Sequence, residues 1–486
     1  MPEAKPNLLI FVAEQWRGRD VGCLGSPVVR TPNVDALAAG GVAFTHAFVQ
    51  NPVCTPSRCS FMTGWYPHVR GHRDMHHMLS PEEACLLKEL KDAGYFVLWG
   101  GKNDLLRVDD LPNAYSRFIE RGAGSPWGES PWKPEDRLYY SFLYGRLPDG
   151  YRTPDDVWTD EAAGFLRGGP PQPFCIYLPL VYPHPPFAVE EPYYSMYDRD
   201  ALPPLAPTPD FSRKPRLLSM IRERARLEEV TEQEFREIRA VYYGMITKTD
   251  ANVGKVLTAL RAGGLWEKTA VFFFADHGEY AGDYGLVEKA QNTFEDCLTN
   301  VPLVVKLPGE TPSAGAVSDA LVELVDFYPT VAELAGLPHT HTQFGRSLVP
   351  VLKGETTTHR DAVFSEGGTL DEEEHTHEQR RKRKDIYWPR LSAQNLDHRA
   401  HGKAVMVRTH RWKYVRRLYE MDELYDLEND PQELTNLSED PKHAGVVAEL
   451  SARMLDWFLT TGDVVPYEQD ERWPGEPLGD DSDYDE

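Results

Sequence analysis

The feature that most restricts the fold is a recurring apolar run of strand length: Leu8–Val12, Phe96–Trp99, Phe174–Leu180, Ala270–Ala275 and Pro302–Val305. Runs that are apolar throughout, rather than alternating, belong to strands covered on both faces, which is the habit of parallel strands flanked by helices. Between them lie helical patterns. One is Leu86–Ala93, and a longer one covers Glu232–Ala262, where Phe235, Ile238, Tyr242, Met245, Thr249, Val253, Val256 and Leu260 fall at three- and four-residue spacing. The expected fold class is α/β, a large, mostly parallel sheet sandwiched by helices. Further on, AVMVRTHRWKYVRR (404–417) reads as a hairpin, Leu424–Leu437 carries an Asn-Asp-Pro turn, and a helix is expected from about His443 to Leu459. Together these form a smaller C-terminal α+β subdomain.

At 486 residues the chain is long enough for one large α/β domain with an appendage. The expected boundaries are 1–360 for the main, catalytic domain, 361–403 for a charged insertion or linker, 404–467 for the C-terminal subdomain and 468–486 for an acidic, disordered tail. Within the insertion, DEEEHTHEQRRKRK (371–384) is an acidic block followed by a basic one, either a solvated loop or an arm reaching another subunit. Pro112–Pro134 and Pro183–Pro209 are rich in proline and aromatic residues and read as long surface loops. Loops of that length in a compact domain commonly serve as lids or binding walls.

The formal charge is −24, and Glu468–Glu486 alone holds nine acids against the single base Arg472. Nucleic acid requires a basic face, so it is excluded as a partner. No apolar run approaches the roughly 20 residues that span a membrane. The start, MPEAKPNLLIFVAEQW, lacks the basic and small-residue parts of a secretion signal. No membrane partner and a cytoplasmic location are expected. Six cysteines, Cys23, Cys54, Cys59, Cys85, Cys175 and Cys297, include no CxxC pair and read as reduced thiols. A chain this acidic can act on an anion only through a local cluster of cations.

The run Cys54-Thr55-Pro56-Ser57-Arg58 begins such a cluster. It stands between a Pro/Asn turn and an apolar stretch able to start a helix. An arginine one helical turn after a cysteine suits an anionic tetrahedral group, and the helix start adds backbone N–H donors and a positive dipole end. Two acidic clusters follow expected strands, where ligands collect in open α/β sheets. Glu14 and Gln15 follow Leu8–Val12, and Asp276 and His277 follow Ala270–Ala275 in FFFADHGEYAGDYG. Carboxylate, amide and imidazole at strand ends suit a divalent cation of the Ca²⁺, Mg²⁺ or Mn²⁺ kind. Taken alone, DHGE also fits a loop turn with an ordinary surface histidine.

The run CTPSR resembles the type I sulfatase signature, in which the cysteine is oxidised after translation to Cα-formylglycine (3-oxoalanine). The wider sequence is similar to the sulfatase branch of the alkaline phosphatase superfamily, close to arylsulfatases, choline sulfatases and phosphonate monoester hydrolases. The likeness runs in order through PNLLIFVAEQWR, RTPNVDALAAGGVAFTHAF, CTPSRCSFMTGWYPH, LKELKDAGYFVLWGGK, YPHPPF, TAVFFFADHGE, LVELVDFYPTVAELAG and WKYVRR…LYDLENDP. The resemblance implies that Cys54, as formylglycine, is both nucleophile and metal ligand, and that Glu14, Asp276 and His277 hold the metal with Gln15 as a further ligand. It implies one divalent ion, Ca²⁺ in the first place with Mn²⁺ or Mg²⁺ as alternatives. Arg58 would orient the hydrated aldehyde, Lys102 would contact it and the ester oxygens, Lys289 would bind the transferring group, and His184 would serve the leaving oxygen. The resemblance implies that one hydroxyl of the hydrated aldehyde attacks sulfur as the alcohol leaves in line. The other then loses its proton and collapses the hemiacetal, expelling sulfate and restoring the aldehyde, a route that plain serine or cysteine lacks.

Three departures from the family pattern stand out. Glu14 occupies the place of the usual aspartate, Lys102-Asn103-Asp104 replaces Lys-x-His, and His277 replaces the asparagine of many arylsulfatases. Asp104 either turns away from the anion site or pairs with Lys102. HVRGHRDMHHM (68–78) reads as a polar pocket wall, with one of His72, His76 or His77 facing the substrate and compensating for Asp104. Trp16, Trp65 and Trp99 read as packing residues, while Trp127 and Trp132 suit a wall for the leaving group.

The expected function is metal-dependent hydrolysis of a small-molecule sulfate monoester to alcohol and sulfate, after a formylglycine-generating enzyme has matured Cys54. The alternatives are a phosphonate monoester or phosphodiester hydrolase on the same scaffold, and a non-catalytic member used for binding. The charged arm and C-terminal unit suit a homo-oligomer, dimer or tetramer.

Overall fold

The computed structural model describes residues 5–120, 127–467 and 472. The expected tail, 468–486, lies outside the described residues apart from Arg472. Each expected strand forms, as Asn7–Ala13, Phe96–Trp99, Phe174–Pro179, Thr269–Ala275 and Asn300–Lys306. In space the main sheet runs Ala316–Ser318, Val42–Phe48, Asn300–Lys306, Thr269–Ala275, Asn7–Ala13, Phe174–Pro179, Phe96–Trp99 and Arg117–Phe118, with Val322–Glu323 added beside Val42–Phe48. Asn300–Lys306 is antiparallel to both its neighbours, and the remaining pairings are parallel. Two reversals restore direction, so Val42–Phe48 points the same way as the central strands.

Asn7–Ala13, Phe174–Pro179 and Thr269–Ala275 are buried along their whole length, as continuous apolar runs require. One helical group joins Pro154–Arg167, Pro32–Ala39 and the 31-residue Glu232–Ala262; the other joins Cys54–Thr63, Leu86–Asp92 and Phe327–Ala335. The long helix starts on a capping box, in which the Glu234 amide donates to Thr231 Oγ1 and the Thr231 amide donates to Glu234 Oε2 at 2.8 Å. No helix among the described residues is long and apolar enough to cross a membrane. All six cysteines are unbridged.

A second, antiparallel sheet is made of Val363–Gly367, Ala404–Arg408, Trp412–Arg417 and Glu423–Asp426, backed by the helix Ala444–Thr461. The hairpin and the last helix lie where the sequence places them, but the sheet reaches back across the expected boundary at 404 to take in Val363–Gly367. The charged insertion is folded too. Tyr139 and Tyr140 donate their hydroxyls to the main-chain carbonyls of Lys384 and Arg383, the latter at 2.6 Å, and a helix follows at Trp388–Leu396. No rule of local sequence fixes that placement, because both tyrosines come from more than two hundred residues upstream.

The strand ends are packed closely enough to exclude a methyl group. A Cβ on Gly101 would lie 2.2 Å from the Pro179 carbonyl oxygen, the same atom that accepts the Lys102 amide at 2.8 Å. Gly101→Ala is expected to lower unfolding stability by about 1–3 kcal/mol in denaturant titrations, since the obstacle is backbone and cannot swing aside.

Candidate active site

Register brings the site together. Ala13 pairs with Ala275 and Val12 with Pro179, so Glu14 and Gln15 leave the sheet beside Asp276 and His277, and the loop bearing His184 starts at the same edge. Lys102 arrives there because Trp99 pairs with Tyr177. Cys54 opens the helix Cys54–Thr63 at this edge, preceded by Val53 in an extended conformation. The helix is buried at every position.

Cys54 Sγ donates to Glu14 Oε1 at 3.0 Å, stands 3.3 Å from His277 Nε2 and lies 4.0 Å from Lys102 Nζ. Arg58, fully buried, forks Nε and Nη2 onto Asp276 Oδ2 at 3.1 and 2.8 Å, while Asp276 Oδ1 accepts the Gln15 amide at 3.1 Å. Lys102 pairs with Glu14 and, at 2.7 Å, with Asp104, which takes the second of the two courses open to that residue. Lys289 Nζ donates to Gln15 Oε1 at 3.0 Å, to His184 Nε2 at 3.2 Å and to Glu288 Oε1 at 2.7 Å. Cys54, Arg58, Lys102, His184, Lys289, Glu14, Gln15, Asp276 and His277 thus form one connected cluster.

Both histidines have a fixed tautomer. His277 Nδ1 meets the Gly278 carbonyl at 3.0 Å and His184 Nδ1 meets the Pro185 carbonyl; a carbonyl only accepts, so each Nδ1 carries the proton and each Nε2 presents a lone pair. Burial, reinforced by Lys289, holds His184 well below the usual imidazole range, and burial pushes His277 down to about 4. Both are neutral at pH 7. For Glu14, burial pushes the carboxyl up, but Lys102 first, with Arg58 and Lys289, outweighs it and holds it far below the carboxylate range. Burial, aided by Glu14 and Asp276, holds the Cys54 thiol well above its ordinary value despite Lys102 and Lys289. As a thiol, Cys54 is a poor nucleophile.

The donor set fits a divalent ion. Cys54, Asp276 and His277 each offer a ligand atom within 4.8 Å of the others, as do Glu14, Cys54 and His184. Glu14 Oε2 is buried without a hydrogen-bond partner, an unsatisfied anionic oxygen of the sort that a cation resolves. The longer side chain of Glu14 still delivers its carboxylate to Cys54. Gln15 is held in position by Glu279, whose carboxyl burial raises to about 7.

The three candidate histidines of the pocket wall bond elsewhere. His72 meets Glu83 at 3.2 Å and the His77 carbonyl at 2.8 Å, His76 meets Glu378 at 3.1 Å, and His77 meets Asp74 at 2.7 Å. Each has a carboxylate partner outside the Cys54 cluster, so charge pairing, not the reacting anion, orients them. Trp127 does reach the site: its Nε1 donates to the His184 carbonyl at 2.9 Å and its ring centroid lies 5.7 Å from that imidazole. Trp132 donates to the Leu143 carbonyl at 2.6 Å. Trp16, Trp65 and Trp99 are packing residues, each at most 4% exposed.

Residues beyond the sequence reading complete the walls. Val287, Glu288, Lys289, Tyr387, Pro389 and Arg390 line one cleft, so the insertion helix roofs the lysine. Glu279 and Glu288 adjoin motif residues and could have been found by extending each motif; Tyr387 and Arg390 carry no local signal. Asp155 accepts the Val181 and Tyr182 amides at 2.8 and 2.9 Å and so fixes the loop that carries His184. A broad cleft between Tyr66, Phe344, Arg360 and Trp457 contains none of the cluster.

Residues 6–337 match the family described as Sulfatase, and residues 367–458 match the C-terminal region of N-sulphoglucosamine sulphohydrolase. The chain is 27% identical to the multifunctional alkaline phosphatase superfamily protein PehA of Trinickia caryophylli, over 94% of this chain and 96% of that protein. It is 28% identical to arylsulfatase K of Bos taurus, over 90% of this chain and 79% of the relative. A phosphonate monoester hydrolase of Agrobacterium radiobacter superposes with a TM-score of 0.76 at 26% identity, covering 94% of this chain and 96% of the other.

Glu14→Gln removes the carboxylate that faces both Cys54 and Lys102. It is expected to weaken Ca²⁺ or Mn²⁺ binding by about tenfold or more, because affinity follows ligand charge, read as lower metal content after dialysis and a smaller rise in melting temperature on adding metal.

Proposed function

The chain belongs to the sulfatase family of the alkaline phosphatase superfamily, and on that footing we propose that it hydrolyses organic sulfate monoesters with Cys54, matured to formylglycine, as nucleophile. As a sulfuric ester hydrolase it cleaves sulfate esters in general; the formylglycine route and the metal are our reading. The observation that carries it is the placing of Cys54 at a buried helix start within reach of Glu14, His277 and Lys102. Because the thiol itself is held protonated, the position gains little reactivity as cysteine and much as a hydrated aldehyde, whose second hydroxyl lets sulfate depart. Glu14, Gln15, Asp276 and His277 would hold a divalent ion, which would supply Lewis-acid positive charge for an anionic ester.

The other roles follow from this chain's own residues. Lys102, 28% exposed and 4.0 Å from Cys54 Sγ, and the buried Lys289, which bonds Gln15 and His184 in the same cluster, suit the oxygens of an anionic ester. Arg58 is locked on Asp276 and keeps that carboxylate oriented. His184 Nε2 faces Lys289, so these two share the proton nearest the departing alcohol, and Trp127 walls that side. With these groups assembled in one cluster, a binding-only role is disfavoured. The six unbridged cysteines support a reducing, cytoplasmic setting.

A second reading is hydrolysis of phosphonate monoesters, favoured by the 0.76 TM-score with the Agrobacterium radiobacter enzyme. Turnover of p-nitrophenyl sulfate against p-nitrophenyl phenylphosphonate decides between them: we expect the sulfate to be preferred, and a strong preference for the phosphonate reverses the assignment. Peptide mass analysis of protein made with a maturation enzyme is expected to show formylglycine at position 54; a thiol alone would overturn the nucleophile. His184→Ala is expected to lower kcat about 10²- to 10⁴-fold for alkyl sulfates and much less for p-nitrophenyl sulfate, whose phenolate leaves without a proton. Equal losses on both would remove His184 from the leaving-group step.

A further inference from the structure

One cation in the cleft is not used by the chemistry above. Arg390 lies on the insertion helix Trp388–Leu396, its side chain 12% exposed. Its Nε and Nη1 are buried without a hydrogen-bond partner. The nearest carboxylate is Glu288 Oε2, 3.8 Å from Nε, whereas the other cluster cations lie within 2.8 Å of theirs. The Tyr387 ring sits 5.7 Å beneath the guanidinium. Two buried, charged N–H groups with nothing to bond are costly, and a guanidinium that keeps such donors free is shaped for a forked contact with an oxyanion.

The position says which oxyanion. From Cys54 outward, His184 contacts Lys289, Lys289 contacts Glu288, and Glu288 faces Arg390. Arg390 is therefore one ion pair beyond the lysine that meets the reacting group, on the side where His184 serves the departing alcohol. Burial works against the guanidinium charge, but Glu288 first and then Glu378 hold its pKa above the ordinary value. The guanidinium carbons of Arg224 and Arg383 lie 4.7 and 5.1 Å from the ring of Trp388, on the same helix as Arg390, a basic rim beside the insertion on a chain of net charge −24.

We propose that Arg390 is a specificity-determining residue that binds a second anionic group, carboxylate or sulfate, carried by the alcohol portion of the ester. The substrate class is thus a sulfate monoester with another negative charge close to the scissile bond, an inference that rests on the sulfate-ester reading. Glu288 positions the guanidinium without saturating it, and Tyr387 supports its face.

The test compares kcat/KM for ortho-carboxy-p-nitrophenyl sulfate, its neutral ortho-carbamoyl analogue and p-nitrocatechol disulfate, in wild type, Arg390→Ala and Arg390→Lys. The ratio of charged to carbamoyl substrate is read on one preparation, so any loss of folded enzyme cancels. Wild type is expected to prefer a charged substrate over the carbamoyl ester, and Arg390→Ala to reduce that ratio by about tenfold or more, mainly through KM, as befits one charge-assisted contact. Arg390→Lys is expected to restore part of it. The larger wild-type ratio, carboxylate or second sulfate, identifies the anion. A wild type without preference, or an Arg390→Ala ratio equal to wild type, overturns the proposal. If wild type turns over phenylphosphonate esters but no sulfate, the sulfatase reading fails, and the same charged and carbamoyl pair made as phenylphosphonates tests Arg390 on its own terms.

Discussion

The site depends on the in-register pairing of Asn7–Ala13 with Thr269–Ala275. Parallel strands of equal length end together, and their next residues are Glu14 and Gln15 on one side and Asp276 and His277 on the other. A slip of one residue would turn each of these side chains to the opposite face of the sheet. Seven fully buried residues on each strand make such a slip prohibitively costly, since every one is packed on both sides. The hydrophobic core is therefore what sets the spacing of the polar site, with charge pairing acting only afterwards.

That pairing is dense. Arg58 is committed to Asp276, Lys102 to Glu14 and Asp104, and Lys289 to Glu288. Buried ions are tolerated only when matched, and here nearly every cation has its carboxylate within contact distance. Glu14 Oε2, Arg58 Nη1 and the Nε and Nη1 donors of Arg390 are left without a hydrogen-bond partner, and of the two arginines only Arg390 has its nearest carboxylate as far away as 3.8 Å. Glu14 and Arg390 each mark a place where the protein leaves bonding capacity for something it does not itself provide. The thiol of Cys54, protonated in this environment, is chemically quiet until it is modified, which separates folding of the cluster from its activation.

How much of this the sequence discloses depends on the range of the interaction. The strands, the long helix and its capping box are local, and they follow from apolar runs and from Thr231 and Glu234. The site residues near strand ends are legible for the same reason: once the strands are parallel, CTPSR, DHGE and the Glu14-Gln15 pair have only one edge to occupy. Asp104 shows the limit, because composition cannot tell a carboxylate that faces an anion from one that pairs with Lys102. His72, His76 and His77 show it again; their density suggested a substrate wall, but Glu83, Glu378 and Asp74 claim them. Tyr387 and Arg390 were beyond reach, since they enter the cleft only because a segment from 361–403 folds back across the molecule.

That fold-back is gripped by Tyr139 and Tyr140, whose phenols hold the main-chain carbonyls of Lys384 and Arg383. A grip on peptide oxygens is indifferent to which side chains the gripped residues carry. The charge of this segment is carried by side chains such as Arg383, while the grip that seats it over Lys289 is made through main-chain oxygens. Tuning which molecules are drawn in and preserving the chamber that receives them are, in this architecture, separate problems with separate atoms.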